Sequence, residues 1–209
     1  MTVLNTSILR VGLMLAIFAI VATSLVAITE DNTRDQIVEN EKQTLLAAIN
    51  ALVDSNDYNN DIITDVLILA KTKRLNTRED SIVYRARKDN QPIAAVFTTI
   101  APNGYNGKIK LLVGVYYDGS LAGVRVISHK ETPGLGDKID LKKADWILQF
   151  TGLSLIDPVE SKWKVKKDGG QFDQFTGATI TPRAVVKAIK NALYFFEKNR
   201  DDLFKVVEE

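Results

Sequence analysis

The first pattern along the chain is a long uncharged apolar run at residues 11–28, VGLMLAIFAIVATSLVAI. As a helix rising about 1.5 Å per residue, it would span roughly 27 Å, close to the thickness of a bilayer core. We therefore interpret residues 1–30 as a single transmembrane anchor. The alternative is a cleaved signal peptide, which this run fits less well. The apolar part of a signal peptide is usually shorter, about 7 to 15 residues, and ends at a small-residue cleavage site.

The pattern then becomes mixed. Residues 31 to about 54 place apolar side chains among charges at helical spacing. The stretch 54–61, DSNDYNND, is a polar, turn-rich break, and residues 62–70 form a short apolar piece whose type the pattern leaves open. We expect a membrane-proximal helical segment over residues 31–75 and a separate domain over residues 76–209.

From residue 81 the pattern becomes typical of strands. The segments SIVYRAR and PIAAVFTTI flank a Lys-Asp-Asn-Gln turn and predict one hairpin. The segments GKIKLLVGVYYDG and SLAGVRVISH flank Asp118 and Gly119, a turn pair that predicts a second hairpin. Both hairpins are rich in β-branched residues, so we expect antiparallel strands.

The last third of the chain alternates loops with apolar stretches. HKETPGLGDKI is a Gly/Pro loop, residues 140–150 predict a helix, and KWKVKKDGG predicts a short strand that runs into a turn. A final helix is predicted from Pro182 to about Lys198. Its expected core stripe consists of Val185, Ile189, Ala192, Leu193 and Phe196. The order of elements predicts an α+β fold, with helices packed on an antiparallel sheet behind the membrane anchor.

Composition narrows the possible functions. The 27 basic and 26 acidic residues nearly balance, so the chain lacks the basic excess that nucleic-acid binding requires. With no cysteine and one histidine, it has no thiolate nucleophile, no disulfide and little basis for a metal site. That histidine, His129, is more simply explained as a surface or hydrogen-bonded residue than as a proton-transfer group. We predict no catalytic residue and no metal ligand.

Charges flanking the apolar run predict its orientation. Arg10 and the amino terminus lie on one side, whereas Glu30, Asp31 and Asp35 lie on the other. The positive-inside tendency then places the short amino terminus in the cytoplasm. The remaining residues would lie in a periplasm-like space, where the absence of cysteine is an advantage.

The stretch 173–183, DQFTGATITPR, carries the candidate chemistry. Thr181 precedes Pro182, a residue favoured at the first helical position, so Thr181 is predicted to be the helix N-cap. Gly177 and Ala178 allow a tight turn and close approach to the backbone. Free amides and the positive end of the helix dipole suit a phosphate. These residues alone favour a capped turn that binds nothing.

Residues 173–179 also match the pattern D-x-x-[ST]-G-A-[ST], which resembles the flavinylation motif. In that motif FMN is joined through its phosphate to the hydroxyl of the last Thr or Ser. The motif occurs in the C subunit of the Na⁺-translocating NADH:quinone reductase and in the G subunit (RnfG) of the Rnf, or Rsx, complex. APNGYNGKIKLLVG, HKETPGLGDKI and WKVKKDGGQFDQFTGATITPRAV resemble the RnfG family in that order, so the likeness covers nearly the whole chain.

The resemblance implies a function. The chain would be a membrane-anchored electron carrier with covalent FMN, one component of a complex rather than an enzyme on its own. The complex would couple electron transfer between ferredoxin and NAD to movement of Na⁺ or H⁺ across the bacterial inner membrane. Its partners would be the other membrane subunits and a flavin transferase that uses FAD and a divalent metal. The alternatives are a membrane-tethered flavin-binding redox sensor and a structural subunit with no cofactor.

The resemblance also implies roles for individual residues. Thr179 would carry the FMN, and Asp173 and Thr176 would be recognition or positioning residues. The loop at 129–139 would lie over the isoalloxazine ring. Lys166 would offset the charge of the phosphate or of the reduced flavin, and Trp146 would be either core or flavin wall, with core favoured. The predicted cofactor-binding residues are Thr179, Asp173, Thr176, Gly177, Ala178, Glu131, Thr132, Leu135 and Lys166.

Overall fold

A computed structural model describes residues 2–205 of the chain. It opens with a 49-residue helix, α1 (Thr2–Asn50). Among the described residues this is the one helix that is long and apolar enough to cross a membrane, and its most apolar stretch is not buried in the protein. The chain divides into two compact units, one ending at Leu45 and the other beginning at Leu46.

The second unit is built on a five-stranded antiparallel meander in which sequential strands are neighbours throughout. The strands are β1 (Val66–Leu69), β2 (Ser81–Lys88), β3 (Gln91–Ala101), β4 (Ile109–Tyr116) and β5 (Leu121–Ser128). Both predicted hairpins are therefore confirmed. Asp89 and Asn90 turn the first at φ 51° and 63°, and Gly119 turns the second at φ 94°. Positive φ values are what tight hairpin turns require.

A long carboxy-terminal helix, α2 (Ile180–Phe204), packs on β3 and β4. Every residue of its predicted core stripe is buried. Phe195 meets Phe97 of β3 edge to face, with ring centroids 5.7 Å apart. The α+β prediction is thus confirmed, although α2 begins two residues before the predicted Pro182 and extends past Lys198.

The other face of the sheet is covered by the residues that follow α1. Strand alternation sends Val113 and Val115 toward α2 and Gly114 to the opposite face. A side chain at Gly114 would lie 3.2 Å from the Cβ of Leu52, so this glycine makes room for the residues after α1. Residues 46–75 thus belong to the same compact unit as the sheet, and β1 is one of its strands. The two compact units thus divide between residues 45 and 46, whereas the sequence pattern predicted a domain boundary at residue 75. The two differ because apolar side chains of the predicted helical segment pack on the sheet.

The carboxy-terminal end of α2 is held by two arginines of β2. Arg85 and Arg87 donate from Nε to the two carboxylate oxygens of Asp65, at 2.6 and 2.9 Å. Each guanidinium also donates to a carbonyl at the end of α2: Arg85 to Lys205 and Arg87 to Phe204. Cations placed there complement the helix dipole and satisfy its last carbonyls.

Between β5 and α2 the chain is irregular, with four short 3₁₀ turns. The predicted helix over 140–150 is instead a 3₁₀ turn at Asp145–Phe150. The strand predicted in KWKVKKDGG is also wrong, because only an isolated bridge joins Val165 to Phe172. The chain reverses so tightly there that a Cβ at Gly170 would lie 1.8 Å from the Lys164 carbonyl oxygen. Packing of Phe172 against Phe150, with centroids 4.7 Å apart, replaces strand pairing.

Candidate functional site

The candidate site lies where α2 begins. Thr179 immediately precedes the helix in αR conformation (φ −70°, ψ −27°), and its carbonyl accepts the amide of Arg183 at 3.3 Å. Before it, the amide of Ala178 donates to the Phe175 carbonyl at 3.0 Å, and Gly177 adopts φ 80°. A left-handed residue inside such a tight turn explains the glycine of the motif. The Thr179 side chain is half-buried and forms no cap hydrogen bond.

Thr181 is not the helix cap, so that prediction was wrong. Because α2 starts at Ile180, Thr181 is already a helical residue and faces the interior, fully buried. Its hydroxyl donates to a carboxylate oxygen of Glu131. The N-cap is Thr179 instead of Thr181, and Pro182 is the third helical residue instead of the first. Tertiary packing rather than local capping sets the start of the helix.

Glu131 is the centre of a hydrogen-bond cluster that joins three segments. Its side chain is only 5 % exposed. One oxygen accepts the Thr181 hydroxyl and the Tyr105 amide (3.2 Å), and the other accepts the Asn106 amide (3.0 Å). A buried carboxylate needs such donors to offset its desolvation. Glu131 therefore ties the loop between β3 and β4, its own loop and the start of α2 together, and its donors leave it little capacity for a flavin.

The Gly/Pro loop after β5 reaches the motif. The carbonyl of Thr132 accepts the amides of Leu135 and Gly136, both at 3.1 Å, and its hydroxyl accepts the side-chain amide of Asn106 at 3.0 Å. Leu135 is 43 % exposed, and its Cδ2 lies 3.7 Å from where a Cβ on Gly177 would stand. An exposed leucine against this glycine offers an apolar wall beside the motif.

Asp173, at the start of the motif, is fixed by two contacts. Its carboxylate pairs with the Lys166 ammonium at 2.6 Å, and its carbonyl accepts the indole N–H of Trp146 at 2.9 Å. Trp146 packs edge to face on Phe150 and Phe175, in both cases with centroids 5.2 Å apart. Lys166 is thus engaged by the motif's own aspartate, and Trp146 holds the motif against the core.

Basic residues further along α2 face a different cleft. A cavity of about 290 Å³ is lined by Trp163, Lys164, Asp168, Arg183, Val186, Lys187 and Lys190, none of which is a predicted cofactor residue. Arg183 donates to both oxygens of Asp168, at 2.7 and 2.9 Å, and this contact lowers the pKa of Asp168. The Arg183 guanidinium is therefore engaged by Asp168.

Backbone amides at the start of α2 fit a phosphate group. Within residues 2–205, no acceptor is found for the backbone N–H groups of Thr179, Ile180 and Thr181. Ile180 is 46 % exposed and, with Leu135, provides apolar surface close to the motif in the fold. Free amides, the positive end of the helix dipole and a nearby apolar rim suit a phosphate that carries a flat ring. No cluster of three metal-ligating side chains occurs in this described part of the chain.

The sequence alone did not reveal how this site is assembled. Glu131 was expected beside the ring, yet the structure uses it as a buried acceptor. Tyr105 and Asn106 were not singled out, although they flank it. The sequence feature that could have indicated this loop was the pair of glycines at residues 104 and 107. Gly107 adopts φ 123°, and a Cβ on Gly104 would lie 2.8 Å from Glu131 Oε1.

Comparisons with known proteins agree with this geometry. Residues 104–194, which contain the whole candidate site, match the FMN-binding domain family, and residues 1–52 match the family described as RnfG N-terminal region. The chain is thus an FMN-binding protein with a separate amino-terminal region.

Relatives define the family more narrowly. The chain is 48 % identical to the G subunit of the ion-translocating oxidoreductase complex of Pseudoalteromonas atlantica, over 95 % of this chain and 92 % of the relative. The same protein of Vibrio atlanticus is 47 % identical over 92 % and 91 %, and that of Shewanella oneidensis 41 % over 96 % and 95 %. The chain belongs to the RnfG family, the G subunits of ion-translocating oxidoreductase complexes. It is a membrane electron-transfer protein that binds FMN and works with the other subunits of such a complex.

Proposed function

We propose that FMN is attached covalently to this protein through a phosphoester with the Thr179 hydroxyl. The observation that carries the proposal is the state of Thr179 itself. Its hydroxyl makes no cap hydrogen bond, and it adjoins backbone amides without acceptors at the positive end of a 25-residue helix. A phosphate on this oxygen would receive hydrogen bonds from those amides.

The other motif residues support attachment in different ways. Gly177 and Ala178 form the turn that presents Thr179, and Thr176 is exposed on the approach to it. Asp173 and Lys166 form an exposed ion pair next to the turn, which a flavin transferase would recognise as part of the motif. Leu135 and Thr132 would lie beside the isoalloxazine ring. The Glu131 carboxylate accepts the Tyr105 and Asn106 amides and the Thr181 hydroxyl, and we assign it no contact with the ring.

The bound flavin supplies the redox chemistry of the protein. This chain contributes the tether, the apolar wall at Leu135 and the polar loop that fixes it. A covalent bond keeps the cofactor at one place, so electrons can be exchanged repeatedly with neighbouring subunits without loss of flavin. We assign to the whole complex the coupling of ferredoxin and NAD oxidoreduction to Na⁺ or H⁺ movement.

We further propose that α1 crosses the bacterial inner membrane once, with the short amino terminus in the cytoplasm and the FMN domain in the periplasm. Arg10 before the apolar run and the acidic residues after it support this orientation. Protease added to spheroplasts would cleave the FMN domain if the orientation is right. Cleavage only in inverted vesicles would contradict it.

Attachment can be tested by fluorescence of the denatured chain in a gel, after co-expression with a flavin transferase. We expect the unchanged chain and Thr179→Ser to fluoresce, since both provide a hydroxyl at residue 179. Thr179→Val keeps the shape of the side chain but removes the hydroxyl, and it should give no signal. A fluorescent Thr179→Val band would show that the flavin is attached elsewhere.

A further inference from the structure

We propose that Glu131 and Thr181 form a positioning pair that makes Thr179, rather than Thr181, the acceptor of the flavin. This inference rests on the proposed covalent attachment. Glu131 and Thr181 are proposed to act without touching the flavin. A change at either residue therefore tests positioning, because the acceptor hydroxyl of Thr179 stays in the chain. The contact that defines the pair is the hydrogen bond from the Thr181 hydroxyl to the Glu131 carboxylate.

Helix geometry couples the two threonines. With 3.6 residues per turn, side chains two positions apart point in directions about 200° different. Thr181 is fully buried and donates to Glu131, whereas Thr179 at the helix start is only half-buried. A rotation of the first turn would bury Thr179 and expose Thr181, and the hydrogen bond to Glu131 opposes it.

Glu131 can serve as a fixed point because it is enclosed on several sides. It accepts backbone amides from Tyr105 and Asn106 in the loop between β3 and β4. A Cβ on Gly136 would lie 2.9 Å from both Glu131 Oε2 and Thr181 Oγ1, so this glycine leaves just enough room for the pair. Packing this close means that a shift of Glu131 would move both loops and the start of α2.

The attachment step explains why such positioning matters. The Thr179 oxygen forms a bond to the flavin-side phosphorus of FAD, and the pyrophosphate bond breaks to release AMP. The hydroxyl proton passes to a base of the transferase. The reaction needs the oxygen in line with the breaking bond, and a misplacement of 1 Å costs about 10²-fold in rate. Thr181 cannot compete, because its hydroxyl is buried and committed to Glu131.

A matched pair of buried threonines allows a test on the full-length chain in detergent. Thr99, on β3, is also fully buried, and its hydroxyl donates to the Leu75 carbonyl at 3.3 Å instead of to a residue of the candidate site. Thr181→Val and Thr99→Val each remove one buried hydroxyl without changing side-chain shape. Thr181→Ser retains the hydroxyl. The probes are FAD, a divalent metal and the transferase, and the readouts are the initial rate of flavin incorporation and the unfolding midpoint.

We expect Thr181→Val to incorporate flavin at least about 10-fold more slowly than Thr99→Val, given the geometric sensitivity of such steps. Thr181→Ser should return the rate to that of the unchanged chain. Equal rates for the two valine variants would overturn the proposal, as would a failure of Thr181→Ser to restore the rate.

Two further controls separate the possible failures. If Thr181→Val does not fold, Glu131→Gln replaces it, because it keeps the side-chain length and one acceptor oxygen. Flavin incorporation into Glu131→Gln at the unchanged rate would contradict the pair. If the unchanged chain itself takes up no flavin, the proposed function fails together with this inference. If flavin is found at another residue, the acceptor is misassigned and the pair has no role.

Discussion

The Thr181 hydroxyl donates to the buried carboxylate of Glu131, while the Thr179 hydroxyl, two residues earlier, forms no cap hydrogen bond at the start of α2. This contact joins the start of α2, just after the motif, to the loop after β5. Through the Tyr105 and Asn106 amides, it also joins α2 to the loop after β3. Three segments that are distant in sequence thus define one site. The structure of the site therefore depends on side-chain packing between these segments more than on the motif sequence alone.

Gly136→Ala should disturb this contact directly. The added Cβ would lie 2.9 Å from an oxygen of each partner, Glu131 and Thr181. Overpacking of this kind costs about 1–3 kcal/mol of unfolding free energy. Gly152→Ala is the control, since Gly152 has positive φ (79°) with nothing within 4 Å of the new Cβ, so it should destabilise through backbone strain alone. We expect reduced flavin occupancy in the first variant and unchanged occupancy in the second. Equal occupancy in both would contradict this account of the site.

Asp65→Ala should destabilise the second unit strongly. Asp65 pairs with Arg85 and Arg87, whose side chains are each only 10 % exposed, and these arginines hold the last carbonyls of α2. Removing the carboxylate leaves buried charge without its partner, at a cost of about 3 kcal/mol. Urea unfolding measured by tryptophan fluorescence would give the loss.

Asp202→Ala is the matched control for that experiment. It breaks an exposed ion pair with Lys205, also at the end of α2. Exposed pairs of this type contribute little to stability, because solvent screens the two charges. A loss from Asp65→Ala no larger than that of the control would mean that the arginines find other acceptors.

Because of the ion pair between Asp168 and Arg183, the free energy of unfolding should depend on pH in the acid range. Hydrogen bonding to Arg183 lowers the pKa of Asp168 in the folded chain. Its stabilisation is therefore complete above the unfolded pKa of about 3.9 and is lost as the pH falls through the lower folded value. Asp168→Asn should be less stable than the unchanged chain at pH 7, and the two should converge as the pH falls below the folded pKa of Asp168. A gap that stays constant across that range would rule out this linkage.

Leu135→Ala should expose the bound flavin. Leu135 packs beside Gly177 and is proposed to cover one side of the ring. Iodide quenching of flavin fluorescence should become more efficient in this variant. Ile68→Ala, on β1 at the far edge of the sheet, truncates a residue that is 73 % exposed and should leave quenching unchanged. If neither variant alters quenching, the ring does not lie against Leu135.

Local sequence signals predicted those elements whose structure depends on neighbours in the chain. The β2–β3 and β4–β5 turns carry Asp-Asn and Asp-Gly, residues suited to positive φ, and both hairpins form. The period of Val185, Ile189 and Phe196 predicted the buried face of α2, and all three are buried. The apolar run predicted a helix of membrane-spanning length at the start of the chain.

Features set by tertiary packing could not be predicted in the same way. Thr181 before Pro182 has the local pattern of a cap, but burial against Glu131 shifts the helix start. The segment around Val165 alternates like a strand, yet it has no long partner and instead packs its aromatic neighbours on Phe150. Glu131 resembles a ligand in sequence because nothing local shows that two distant amides point at it.

Mass spectrometry of the chain purified from membranes can show whether Thr179 carries the flavin. We expect the intact mass to exceed the sequence mass by that of FMN less one water. Fragmentation of the peptide containing residues 173–183 should place the addition on Thr179. An unmodified chain isolated from cells that contain an active flavin transferase, or an addition on Thr176 or Thr181, would contradict the account.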